Sequence, residues 1–325
     1  MKKTILTSAI AFIAAAFLVI GCNKSNTSSP STADENGLQS KVTQNAQDQA
    51  NIQNDEDAKA NDATTATETV PAFGNLTGNI SHIATFGVTD SVFLDSTTSR
   101  WFIIDKTPFK LKIPRIVLWY RGLMDSSGFV KRGKITVQLI NGKKWTDVGA
   151  ELKETDSVYV TFNGKTRFYA CDRYITNVSG GYKGINTLPN PFIYTMHAYG
   201  SVTFDDGSQR TYWVTRKNTF TKTAPYTFSV AGDTTINSVA CTIGGTTRYG
   251  ENFLVQAPQA IASNLYCGYF NPTSGIRILT FRKEPVTITY GVDAAGNQVT
   301  SGCAYGYKIN WTKLNGNVGT AVIAY

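Results

Sequence analysis

From residue 71 onward, apolar and polar residues alternate with period two. That spacing puts successive side chains on opposite faces of a strand, and no convincing helical pattern competes with it. Ile135, Val137 and Leu139 share one side, with Lys134, Thr136 and Gln138 on the other. The same pattern recurs at Ile116, Leu118, Tyr120; at Val158, Val160, Phe162; at Val286, Ile288, Tyr290; and at Tyr305, Tyr307, Ile309, Trp311. Between such runs stand Asn141-Gly142, Asn163-Gly164, Asp206-Gly207 and Asn315-Gly316, dipeptides that supply the positive φ of tight hairpin turns. The sequence therefore predicts an all-β chain, mainly an antiparallel meander. A sandwich, a strongly curved open sheet and a partly closed barrel all satisfy this pattern.

A faint repeat organises the strands. Gly133-Lys-Ile-Thr-Val, Gly200-Ser-Val-Thr-Phe and Gly275-Ile-Arg-Ile-Leu each read as a strand opened by glycine and followed by a cysteine, which suggests three weak units of about seventy residues. The β-rich region is taken as 73–325, with 186–191, rich in proline and asparagine, as the candidate break within it.

The N-terminus is of another kind. Lys2 and Lys3 precede an apolar run from Ile5 to Ile20 that ends in Val19-Ile20-Gly21-Cys22, the layout of a secretory leader, 1–21, closed by a lipobox. The expected product is a lipoprotein held in the bilayer through acylated Cys22. Two or three acyl chains make that attachment nearly permanent. Asn23 is not the aspartate that favours retention in the inner membrane, so the outer membrane is the expected address, with its periplasmic and surface faces both open.

Residues 22–72 read as the lipidated cysteine and a disordered tether, since Asn, Ser, Thr, Gln, Ala and Asp predominate and Leu38, Val42 and Ile52 mark at most a frayed helix. As a flexible coil the tether would span roughly 40 Å. Charge divides along the same boundary: residues 23–70 carry three lysines against eight acids, whereas residues 71–325 carry 26 basic against 15 acidic groups. A basic exported module suits anionic envelope components.

Four cysteines remain beyond Cys22: Cys171, Cys241, Cys267 and Cys303. An even number in an exported chain predicts two disulfides, with Cys267–Cys303 and Cys171–Cys241 as the first of three pairings. No two cysteines have zinc-ribbon spacing and histidine is confined to His82 and His197, so neither a metal nor a cofactor is expected. Both histidines sit in strand-like alternation. No nucleophile elbow, zinc-protease helix or phosphate loop is present, and Asp205-Asp206 falls on a turn beside Gly207. Catalytic residues are not expected.

Arg210, Tyr212, Val214 and Arg216 alternate onto one face with Trp213 on the other. Arg210, Tyr212, Trp213 and Arg216 form the candidate ligand-contact strip, because cations beside flat rings suit sugar stacking or an acidic glycan; nucleic acid is the less favoured partner. Pro114-Arg115-Ile116-Val117, Lys131-Arg132-Gly133-Lys134-Ile135, Arg248-Tyr249-Gly250, and Cys267 with the segment Tyr290-Gly291 to Cys303 together resemble the uncharacterised β-rich lipoproteins of Bacteroidota, over residues 110–312. Members often carry a further cysteine where this chain reads Gly122-Leu123-Met124-Asp125, and the family offers no functional residues to carry over. The reading is an envelope-anchored, non-enzymatic β module that binds a glycan or protein partner. A carbohydrate-active or other hydrolytic enzyme and a lipid or lipoprotein carrier are the alternatives.

Overall fold

A computed structural model describes residues 32–69, 91–95, 99–104, 107–112, 115–124, 128–162, 164–184, 188–268, 271–281 and 284–325. The leader, Cys22 and His82 lie outside the described residues. One long helix, α1 (Thr32–Thr69), precedes seventeen strands: β1 (Ser91–Asp95), β2 (Ser99–Ile104), β3 (Thr107–Lys112), β4 (Arg115–Met124), β5 (Val130–Asn141), β6 (Glu151–Phe162), β7 (Lys165–Asn177), β8 (Phe192–Phe204), β9 (Gln209–Thr221), β10 (Thr227–Gly232), β11 (Thr234–Ile236), β12 (Val239–Thr246), β13 (Asn252–Asn264), β14 (Pro272–Phe281), β15 (Glu284–Val292), β16 (Gly306–Thr312) and β17 (Val318–Ala324).

The chain is all-β in class. β2 and β3 form a separate hairpin, and the other fifteen strands make one antiparallel sheet, strongly curved into a partial ring. Its order is β1-β4-β5-β6-β7-β8-β9-β10-β13-β14-β15-β16-β17, with β12 lying beyond β10 in the gap between β9 and β13, and β11 paired to β12. The predicted alternation appears as burial. Ile135, Val137, Leu139, Val158, Val160, Ile116, Leu118, Tyr120, Val286, Ile288, Tyr290, Tyr307, Ile309 and Trp311 are buried on the concave side, whereas Tyr305 precedes β16 and is exposed. The Asn-Gly and Asp-Gly dipeptides fall at strand connections, and Gly142, Gly164, Gly207 and Gly316 all have φ between 71° and 84°.

The strand pairing shows no break between the described residues that flank 186–191, of which 186 and 187 are themselves not described. β7 and β8 on either side of it pair continuously from Arg167 opposite Phe204 to Asn177 opposite Tyr194. Nor do the three glycines open strands. Gly133, Gly200 and Gly275 lie inside β5, β8 and β14. Gly133 has φ 125° and a side chain there would meet the Ser157 carbonyl oxygen at 2.1 Å, so glycine marks a close approach between neighbouring strands in a bent sheet.

The cysteine pairing is half as expected. Cys267 and Cys303 are bonded, with Cα atoms 5.2 Å apart, but Cys171 and Cys241 are free and buried. Cys171 is on β7 and Cys241 on β12, with β8 and β9 between them. At about 4.8 Å per strand that places the two roughly 14 Å apart, twice the reach of a disulfide.

The largest departure is the segment expected to be a tether. Residues 32–69 form α1, which lies within the concave face of the sheet with Val42, Ala46, Ile52, Ala60, Ala63 and Ala66 in the common core. Composition argues for disorder because it counts apolar burial. Charge supplies what apolar area does not.

Candidate functional site

The lumen between α1 and the sheet is lined with charge in phase with the apolar alternation. On β7, Arg167, Tyr169, Cys171 and Arg173 all point inward, and on β6 so do Glu154 and Asp156. Charged groups buried to this degree are stable only when paired. α1 provides the partners along its length. Asp48 takes Arg248 at 2.7 Å; Asp55 takes Arg167 at 2.9 Å and the Tyr169 hydroxyl; Asp62 takes Lys131 at 2.9 Å and the Tyr120 hydroxyl at 2.7 Å.

The centre is a network around Arg173. Its guanidinium meets Glu56 from α1, Glu154 and Asp156 from β6, while Tyr212 donates to the other Glu56 oxygen at 2.8 Å. Lys59 sits 2.6 Å from Glu56 and 2.8 Å from Asp156. Glu56, Asp156 and Cys171 bring ligand atoms close enough to hold a metal ion, but the Lys59 ammonium already stands between the two carboxylates. Burial, reinforced by the Glu56 charge, pushes the Cys171 thiol well above its ordinary value, so it has neither a nucleophile's nor a ligand's character.

The carboxylates divide. Burial pushes Glu56 upward, but Arg173 and Lys59 together hold it well below the usual carboxylate range. For Glu154 burial wins over Arg173, and its carboxyl rises from the ordinary 4.5 to about 7. Asp57 and Asp62 are also raised by burial, against Arg216 and Lys131 respectively. A carboxyl with a raised pKa binds more protons in the folded than in the unfolded chain, so the stability it contributes is lost as pH rises from about 4.5 through about 7. Urea denaturation is expected to show wild type gaining less than the Glu154→Gln variant, by roughly 1–3 kcal/mol, on passing from pH 5 to pH 8. Parallel pH profiles for the two proteins would contradict this.

The residues expected to form a ligand strip are divided by the sheet. Arg210, Tyr212 and Arg216 share a face as predicted, but it is the concave one: all three are buried against α1. Alternation defines two faces without saying which one is covered. Trp213 is on the convex face, its ring lying over Gly244, where a side chain would meet the ring at 2.3 Å. His197 is also on the convex face, with Nε2 3.2 Å from Asp233. Asp206 accepts from the Ser208 amide and pairs with Arg248, while Asp205 faces Lys165 at 3.8 Å, so this pair serves a turn and its neighbouring cations. The missed lumen charges Arg167, Arg173, Arg277, Glu154 and Asp156 carried one signal. Each stands where the alternation calls for an apolar residue.

The convex face holds a second arrangement. Across four strands, Arg121, Arg132, Tyr159 and Phe168 stand opposite one another in register, followed by Thr203. The parallel row is Trp119, Lys134, Ser157, Ala170 and Ser201. Neither row contains an acid. Tyr159 is 50% exposed and packs against Phe168 with ring centroids 4.6 Å apart, and Trp119 is 44% exposed. Beside them Val130, Arg132, Tyr159, Thr161 and Thr166 border a shallow hollow of about 490 Å³. Flat rings flanked by cations in an open hollow can stack on a sugar face and pair with its acid groups. Comparison with protein-family models, with curated proteins and with solved structures finds no match to this chain.

Proposed function

We propose that the protein is a lipid-anchored module of the outer membrane that binds an acidic glycan, without catalysis, through the convex row of Arg132, Tyr159 and Phe168. The exposed pairing of cations and rings, with no acid in either row, is the observation that carries this reading. Two further features support it over the alternatives. α1 fills the concave face that a lipid or lipoprotein carrier would need open, and the carboxylates that converge there are bound to arginine and lysine and shielded from any polysaccharide. Anchorage rests on the Val19-Ile20-Gly21-Cys22 run, and the outer membrane on Asn23.

On a panel of polysaccharides, binding is expected to be strongest for uronate-bearing chains. Tyr159→Ala and Arg132→Gln should each weaken it about tenfold, the loss of one aromatic or charge contact, with melting temperature nearly unchanged because both groups are exposed. In cells, fatty-acid label should enter wild type and not Cys22→Ala, which should leave the membrane fraction. Turnover of a polysaccharide without measurable binding partners would favour the hydrolase instead.

A further inference from the structure

α1 does not satisfy the lumen evenly. Asp48, Asp55, Glu56 and Asp62 each meet a cation of the sheet, but positions 45, 49, 53 and 57 lie in one row along the helix, spaced by four residues, and carry Asn45, Gln49, Gln53 and Asp57. All four are buried. Two buried arginines meet this face, Arg210 donating to Gln49 at 2.7 Å and Arg216 lying 2.9 Å from Asp57, and a third, the buried Arg277, lies within reach of the Asp57 charge. Among the described residues, none of the three nitrogens of Arg277 has a hydrogen-bond partner, and neither do Nε and Nη1 of Arg210 and of Arg216. On the helix side both polar atoms of Asn45 and the Oε1 of Gln53 are also unpartnered.

Arg210 therefore meets an amide where a carboxylate would fit, Arg216 and Arg277 share the charge of the single carboxylate Asp57, and Arg210 and Arg277 lie over the Phe253 and Tyr290 rings. Unsatisfied buried donors are costly, and a carboxylate matches the guanidinium fork where an amide does not. The seat has the width of a helix and the charge of a more acidic one than α1. The contacts that hold α1 to the sheet, as described above, run through side chains, so α1 can be exchanged without breaking the backbone pairing of the sheet.

We infer that Arg210, Arg216 and Arg277 form a recognition site for an acidic helical peptide of a partner protein, bearing carboxylates spaced by four residues, for which α1 is the resident stand-in. The site is separate from the convex row and goes beyond the glycan reading. The spacing and the helical bore of the lumen favour a peptide over a sugar chain.

The test uses two synthetic peptides of residues 32–69, one natural and one carrying Asn45→Glu, Gln49→Glu and Gln53→Glu, titrated into the full chain. Fluorescence anisotropy follows binding and hydrogen exchange follows release of α1. The triple-glutamate peptide should bind at least tenfold tighter than the natural one and strip protection from α1, and Arg277→Gln should erase the difference. Gln49→Glu within the chain should raise the melting temperature and weaken capture of the added peptide, a readout that stands even if Arg277→Gln does not fold. Equal binding of the two peptides, or no binding with α1 still protected, overturns the inference. Release of α1 by polygalacturonate but not by the peptide would overturn it in favour of a glycan. Tyr159→Ala should leave peptide binding unchanged, so failure of the convex site and failure of this one are distinguishable.

Discussion

Replacing Arg173 by methionine is expected to destabilise the protein by about 3–5 kcal/mol, the usual result of removing one partner from a buried ionic cluster. Arg173 is fully buried and is shared by Glu56, Glu154 and Asp156, so its loss leaves three carboxylates with only the Lys59 ammonium among them. Methionine retains much of the packing volume, which separates the electrostatic effect from a cavity. Urea denaturation measures the loss, and hydrogen exchange locates it: α1 should lose protection while the β8–β9 pairing keeps most of its own. The combined change of Arg173→Met, Glu56→Gln, Glu154→Gln and Asp156→Asn should recover much of the stability, because removing all members of a buried ionic cluster is far less costly than removing one. A single substitution that costs under 1 kcal/mol would mean that the network is solvated.

The second large effect is expected at the disulfide. Cys267 and Cys303 are 36 residues apart, and closing a loop of that size restricts the unfolded chain by about 4 kcal/mol in the entropic account. The bond joins the short helical turn Leu265–Cys267, just after β13, to the segment before β16, across two intervening strands. The pair Cys267→Ser and Cys303→Ser should lower the unfolding free energy by about 2–4 kcal/mol, and reduction of wild type should do the same. Thiol counting in denaturant should find two free groups, Cys171 and Cys241, beyond any at Cys22. Four would remove the cross-link from the account.

Strands and hairpin turns were legible because each is written locally: period two in Ile135, Val137 and Leu139, and a glycine in each Asn-Gly or Asp-Gly turn, whereas the Cys267–Cys303 bond was only the first of the pairings that an even cysteine count allows. α1 was not legible, because its stabilising partners are remote. The sheet partners of Asp55 and Glu56 include Arg167 and Arg173, 112 and 117 residues later. The strip of Arg210, Tyr212 and Arg216 shows the same limit from the other side. Its shared face follows from alternation, yet whether that face meets water or protein depends on the curvature of the whole sheet. Arginine in an apolar position of a strand was the readable clue to a buried counter-charge.

The lumen also fixes an order of assembly. α1 is synthesised before every strand, but Asp48 does not meet Arg248 until that residue has been made, and the Glu35 carboxylate accepts from the Leu314 amide. Contacts this distant in sequence form late, after the intervening loops have closed. A helix made before every strand of the sheet is thus the last element to find its place, and a chain stopped before β12 would display open rows of arginine to whatever acidic surface passes by.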